Sequence, residues 1–93
     1  FIRSADNYIE VAWEEKQNIK KKLIRATLKE TETALKIFPY IVKCHRTCLV
    51  NINNMVNLKE TPGGVTVLQD EFNNEIPVSH QYLKEIKLIF KKK

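Results

Sequence analysis

The stretch Tyr40-Ile41-Val42-Lys43-Cys44-His45-Arg46-Thr47-Cys48-Leu49-Val50-Asn51 decides how this chain reads. Two apolar runs, Tyr40 to Val42 and Leu49-Val50, have strand character. Between them stands a knot of thiols, imidazole, guanidinium and hydroxyl. An ordinary hairpin turn favours Asn, Gly, Asp or Pro. His45-Arg46-Thr47 instead places hydrogen-bond donors around a positive charge. A hairpin presenting that set has a partner, and the partner is a metal, a substrate or a nucleic acid.

Working outward, Ile2 to Ser4 reads as a short strand and Ala5-Asp6-Asn7 as a turn. Tyr8 to Trp13 alternates, with Ile9, Val11 and Trp13 expected inward. Glu14 to Asn18 is a polar connection, and Ile19 to Ala26 returns as a second hairpin strand centred on Leu23 and Ile24. Thr27-Leu28-Lys29-Glu30 has the capping-box pattern. It opens a short helix to about Lys36, with Leu28, Ala34 and Leu35 turned inward. Pro39 punctuates its end.

After the knot, Asn51, Asn53 and Asn54 mark a bend before Met55 to Lys59. Pro62-Gly63-Gly64 is a turn, Val65 to Leu68 a strand, and Asp70 to Asn74 a second turn. Glu75 to Val78 is a short strand that Pro77 confines to a sheet edge. Ser79 is a candidate N-cap for a terminal helix of about ten residues. That helix turns Leu83, Ile86 and Phe90 to one side and Lys84, Lys87 and Lys91 to another. The frequent turns and absent βα alternation predict a mostly β fold of short antiparallel strands in small sheets. One internal and one C-terminal helix complete it.

The 93 residues suit one domain. A chain this short buries roughly 60–65% of its unfolded surface. Apolar residues make up 43%, and no apolar run approaches a membrane span. The absence of an initiator Met points to a fragment cut from a longer chain. Sixteen Lys and Arg against eleven Asp and Glu give a net charge of +5, and the pI is near 9.3. Basic groups at Lys20-Lys21-Lys22 with Arg25, and along Lys84 to Lys93, favour an anionic partner; the plain alternative is a solvated face. Two cysteines fit a reducing cytoplasm better than a secreted disulfide scaffold.

A structural zinc site needs four ligands, and Cys44, His45, Cys48 and a distant His80 lack the paired spacing. No metal or other cofactor is expected. A Cys-His nucleophile is badly placed, because adjacent strand residues Cys44 and His45 point to opposite faces. There is no serine elbow, phosphate loop or carboxylate pair, so no enzyme and no small-molecule substrate are expected. A Cys44–Cys48 disulfide needs a Cα approach within about 7 Å, which a tight turn permits.

Nucleic acid remains. Arg46 is suited to bidentate contact with guanine, and Gln81 to adenine. His45, Thr47, Asn7, Tyr8, Ser79 and His80 add further donors. Lys84 and Lys87 are candidate phosphate contacts. Singly, each also has a plain structural reading: a surface ion pair for Arg46, a turn residue for Asn7, a solvated helix start for His80.

Four segments in order carry a resemblance. They are Asp6-Asn7-Tyr8-Ile9-Glu10-Val11, Leu23-Ile24-Arg25-Ala26-Thr27-Leu28, Cys44 to Asn51, and Ile76-Pro77-Val78-Ser79-His80-Gln81-Tyr82-Leu83-Lys84-Glu85. Together they resemble the landmarks of LytTR-type DNA-binding domains over essentially the whole chain. The resemblance implies an elongated β-sandwich of three small sheets. It also implies double-stranded DNA read by loops in successive major grooves, here at Asn7-Tyr8, His45-Arg46-Thr47 and Ser79-His80-Gln81.

Such domains follow a phosphorylatable receiver domain in bacterial two-component response regulators, or in some cases membrane segments, so the resemblance implies that residues 1–93 are the C-terminal fragment of a longer regulator. Pairing as a dimer on DNA belongs to the same expectation. The sequence departs from the family pattern at Thr47-Cys48, where Ser and an aromatic are usual, and at His80-Gln81, where two arginines are usual. The alternative from another class is a protein-interaction module using the same loops.

Overall fold

The computed structural model describes residues 1–62, 64 and 66–92. Strands β1 (Ile2–Ala5), β2 (Tyr8–Glu15) and β3 (Asn18–Ile24) precede helix α1 (Leu28–Ala34). Strands β4 (Ile41–His45) and β5 (Cys48–Asn51) form the hairpin of the knot. A 3-10 turn, Ile52–Asn54, leads to β6 (Met55–Glu60), β7 (Thr66–Asp70), β8 (Glu75–Val78) and helix α2 (His80–Lys92). The architecture is mostly β, in antiparallel sheets with an internal and a terminal helix, as expected.

There are two sheets among the described residues, ordered β3-β2-β1-β5-β4 and β6-β7-β8. The three small sheets implied by the resemblance become two because β1 pairs on both sides. Ser4 lies opposite Ile9 of β2, and Ile2 opposite Leu49 of β5. β1 thereby welds two hairpins into one sheet. The domain measures 34 × 30 × 28 Å, so it is only slightly drawn out in one direction.

Side-chain alternation along β5 gives the layers. Cys48 and Val50 face one way, into a core with Cys44, Met55, Leu68, Ile76 and Ile86. Leu49 faces the other way, against Ile9 and Leu28 of α1. The larger sheet thus carries α1 on one face and the smaller sheet with α2 on the other. β5 is buried on both faces, which accounts for its continuous Cys-Leu-Val run. On α2, Ile86 is fully buried and Leu83 and Phe90 pack against the same core, with Lys84, Lys87 and Lys91 exposed, as the helical spacing predicts.

Local chemistry explains most boundaries. Thr27 Oγ1 accepts from the Glu30 amide at 3.1 Å, and its hydroxyl donates to the Glu30 carboxylate at 2.9 Å. The capping box therefore closes side chain to side chain. Asn51 accepts from the Asn53 amide at 3.0 Å and starts the expected bend. The Asp70 carboxylate organises its turn by accepting from the Phe72 amide, the Asn74 amide and Asn74 Nδ2, each at 2.9 Å. Pro77 lies in β8, an edge strand, where its missing N–H breaks no ladder.

Four expectations change. Glu14 to Asn18 is a two-residue turn, with Lys16 and Gln17 both at positive φ (52° and 67°), so β2 and β3 run on to Glu15 and Asn18. Trp13 is exposed and Ala12 buried, the reverse of the expected alternation. Phe1 and Ala12 exchange backbone hydrogen bonds at 2.8 and 3.0 Å, after which β2 runs on past the end of β1, paired with β3 alone, and Trp13 lies beyond the doubly paired part of the sheet. Leu23 and Ile24 are exposed as well, since β3 is an edge strand. In α1, which stops at Ala34, that residue is exposed and Leu28 is the buried anchor. The turn expected at Pro62-Gly63-Gly64 and the strand start at Val65 fall partly on residues 63 and 65, outside the described residues. Gly64 itself has φ +80° and donates to the Thr61 carbonyl at 2.9 Å.

Candidate nucleic-acid interface

β1 is antiparallel to both β2 and β5, so the β1–β2 and β4–β5 turns emerge from the same end of the larger sheet. Ala5 pairs with Tyr8 and closes the first turn around Asp6 and Asn7, with Asp6 at φ 57°. His45 pairs with Cys48 and closes the second around Arg46 and Thr47. The Ser4 amide donates to the Thr47 carbonyl at 2.8 Å, binding one hairpin to the other just below their tips.

The third segment reaches the same place by a different route. The Ser79 amide donates to the Cys44 carbonyl at 2.9 Å, one residue before His45. A register shift between Lys43 and His45 makes Cys44 a bulge residue, and a bulge frees a strand carbonyl for such an outside partner. Asn7-Tyr8, His45-Arg46-Thr47 and Ser79-His80-Gln81 are thus brought together, although they are far apart in sequence.

Arg46, Asn7, His80 and Gln81 are exposed, and so is Tyr8. His45 and Thr47 are half-buried and brace each other. The Thr47 amide donates to His45 Nδ1 at 3.2 Å, and the Thr47 hydroxyl oxygen lies 2.8 Å from the same nitrogen. Ser79 does not cap through its side chain. Its carbonyl accepts from the Tyr82 amide at 3.0 Å, while its hydroxyl is buried without a partner.

Along α2, His80, Lys84, Lys87 and Lys91 follow helical spacing and line a groove of about 350 Å³ with Leu83 and Leu88. Lys87 is 3.3 Å from the Glu60 carboxylate across an exposed pair. Such a pair is worth about 0–1 kcal/mol, so it yields readily to a stronger anion. Lys84 makes no ion pair among the described residues.

The cysteines are free thiols, fully buried, with Cys44 Sγ 3.8 Å from the Cys48 carbonyl. Burial, reinforced by the neighbouring Cys48, pushes the Cys44 thiol up to about 12. A thiol so held is a packing group rather than a nucleophile. Among the described residues no three His, Cys, Asp or Glu side chains converge as a metal site.

Arg25 is the residue that sequence reasoning placed wrongly. Sequence proximity groups it with Lys20, Lys21 and Lys22, but the strand register sets it apart from them. Ile24 lies opposite Ile9, so Arg25 arrives beside the first turn and lines a depression of about 410 Å³ with Asp6, Asn7, Thr27 and Glu30. Lys20 lies opposite Trp13, towards the far end of the hairpin. Counting the hairpin register back from its turn was the signal that could have found it.

These loops sit on a chain whose residues 1–91 match the family model described as the LytTr DNA-binding domain. The chain belongs to the LytTr DNA-binding domain family. It is 31% identical over 70 residues to an uncharacterised response regulatory protein of Vibrio cholerae. That match covers 75% of this chain and 30% of the relative, so the chain spans about a third of the relative's length. The fold is shared with a LytTr DNA-binding domain from Bacillus cereus, at a TM-score of 0.76 and 21% identity, over 96% of this chain and 77% of that one. Among the described residues, no helix of this LytTr domain is long and apolar enough to cross a membrane.

Proposed function

We propose that this LytTr domain reads double-stranded DNA with its three gathered loops, each set into the major groove. It serves as the output domain of a bacterial two-component response regulator, behind a receiver domain and in the cytoplasm. The observation that carries this reading is the pair of backbone bonds, Ser4 to Thr47 and Ser79 to Cys44, that hold the loops on one end of the molecule.

Within that surface Arg46 takes guanine O6 and N7 through its planar fork. Gln81 offers the bidentate pattern that suits adenine. Asn7, Tyr8, His45 and Thr47 complete the reading edge, and Arg25 joins it from the end of β3. The first turn of α2, opening at His80 and Gln81 because the Ser79 amide is bonded to Cys44, directs backbone N–H groups towards a phosphate. Lys84 and Lys87 continue along the same strand. Two such domains on a repeated half-site would form the dimer on DNA.

Selecting bound duplexes from a random pool tests the reading. It expects a recurrent motif with guanine at the Arg46 step. Recovery of no motif, with no retention on heparin at low salt, would instead favour a protein partner for the same loops.

A further inference from the structure

The brace between His45 and Thr47 fixes more than the shape of the loop. His45 Nδ1 faces the Thr47 amide at 3.2 Å and the Thr47 hydroxyl oxygen at 2.8 Å. An amide N–H can only donate, so Nδ1 must present its lone pair. The neutral ring then carries its proton on Nε2. The Thr47 hydroxyl must also donate to Nδ1, because two acceptors would repel at 2.8 Å. With that proton spent, the contact of 3.6 Å between Thr47 Oγ1 and Cys48 Sγ takes the thiol as donor.

The result is a polarised chain, from Cys48 S–H to the Thr47 hydroxyl to His45 Nδ1, ending in an Nε2–H. Nε2 has no protein partner among the described residues. Nor is it among the completely sealed side-chain atoms left without a partner, and His45 as a whole is half-buried. The side chains of His45 and Arg46 at the tip therefore both present donors: the Nε2–H and the guanidinium.

We propose that His45 is a specificity-determining residue, locked by Thr47 as an Nε2–H donor that reads a purine N7 next to the guanine taken by Arg46. This rests on the DNA reading of the loop. Neighbouring residues are about 3.8 Å apart along the chain, close to the step of about 3.4 Å between stacked bases. N7 is the major-groove acceptor that both purines share, whereas cytosine presents a donor there and repels this tip. Thr47 is a positioning residue that holds the tautomer.

Two measurements test it on the 93-residue chain. The first is long-range 1H–15N correlation of the imidazole in the free domain at about pH 8, where an ordinary His is neutral. Nδ1 should appear as the pyridine-type nitrogen and Nε2 as the pyrrole type; the reverse assignment overturns the proposal. The second scans a selected duplex with 7-deazapurines. One purine beside the Arg46 guanine should weaken wild-type binding roughly three- to tenfold on losing N7.

His45→Asn keeps an acceptor for the Thr47 amide but lacks the outward donor, so it should fold, bind more weakly and ignore that substitution. His45→Gln, which keeps the outward donor and loses the acceptor, should stay sensitive to it. A uniform loss in His45→Asn with a lower salt slope, and no sensitive purine, would assign His45 to a phosphate and overturn the proposal. Failure to bind any duplex would overturn the DNA reading and the base contact with it. A reversed tautomer with binding intact overturns this proposal alone.

Discussion

The amide of Ser79 donates to the carbonyl of Cys44 at 2.9 Å, and that single bond joins the start of α2 to the base of the Arg46 hairpin. Cys44 is free to accept because the strand bulges there, and it stays in place because its side chain is fully buried. One end of the molecule thus gains a rigid floor under three separate loops. A site held by backbone bonds keeps its geometry when a loop side chain is changed, which makes the loops open to dissection by substitution.

Arg46→Ala is expected to cost about 1–3 kcal/mol of specific binding by removing a bidentate guanine contact. Arg46 is exposed and makes no ion pair among the described residues, so the melting temperature should stay within about a degree or two of wild type. Titration of a selected and a scrambled duplex, alongside a thermal melt, separates the two effects. Unchanged affinity for the selected site removes Arg46 from the reading edge.

Lys84→Ala should lower the slope of log K against log salt by about 0.9, the signature of one lost phosphate contact. Lys87→Ala should do less if Glu60 competes for that cation in the complex. Titrations across a series of salt concentrations measure both. Equal slopes for wild type and Lys84→Ala would place the α2 groove outside the footprint.

The Cys44 thiol gives an alkaline prediction. Its folded value, about 12, lies above the ordinary 9.0 because burial disfavours the thiolate. A group raised in the folded state contributes stability that is fully present below pH 9 and is lost as pH climbs from 9 towards 12. Urea midpoints across that range should fall less steeply for Cys44→Ala than for wild type, although the variant starts from a lower value. Parallel curves would mean the thiol is not the group responsible.

Ile86→Ala tests the packing of α2. The side chain is fully buried where α2 meets both sheets, so truncation should cost about 2–5 kcal/mol. A shift of the urea midpoint without a change in slope is the expected observation. A loss under about 1 kcal/mol would show that α2 is held mainly by its other contacts.

Much of this fold is written locally. Thr27 with Glu30, Pro77, and Asp70 with Asn74 each announce a cap, an edge strand or a turn, because the chemistry lies within a few residues. The amphipathic spacing of α2 separates Ile86 from Lys84 and Lys87 equally plainly. The turn at Lys16-Gln17 was hidden because neither residue is a usual left-handed one; the hairpin imposes positive φ on both. The exposure of Trp13 was hidden too, because it depends on where β1 stops beside β2.

The candidate site shows the same division. Arg46 stands out in sequence because donors replace turn residues between two strands. Its convergence with Asn7 and Ser79 depends on β1 lying between two hairpins and on a bulge at Cys44, which are tertiary facts. Arg25 was misplaced for that reason: sequence proximity tied it to Lys22, whereas strand register ties it to the first loop.

Protection of guanine N7 from dimethyl sulfate on a selected duplex tests the major-groove reading most directly. The account predicts protected guanines in clusters about ten base pairs apart on one face. Arg46→Ala should lose one cluster and keep the other. Guanine N7 left fully reactive throughout the bound site, or a pattern that Arg46→Ala does not alter, would contradict it.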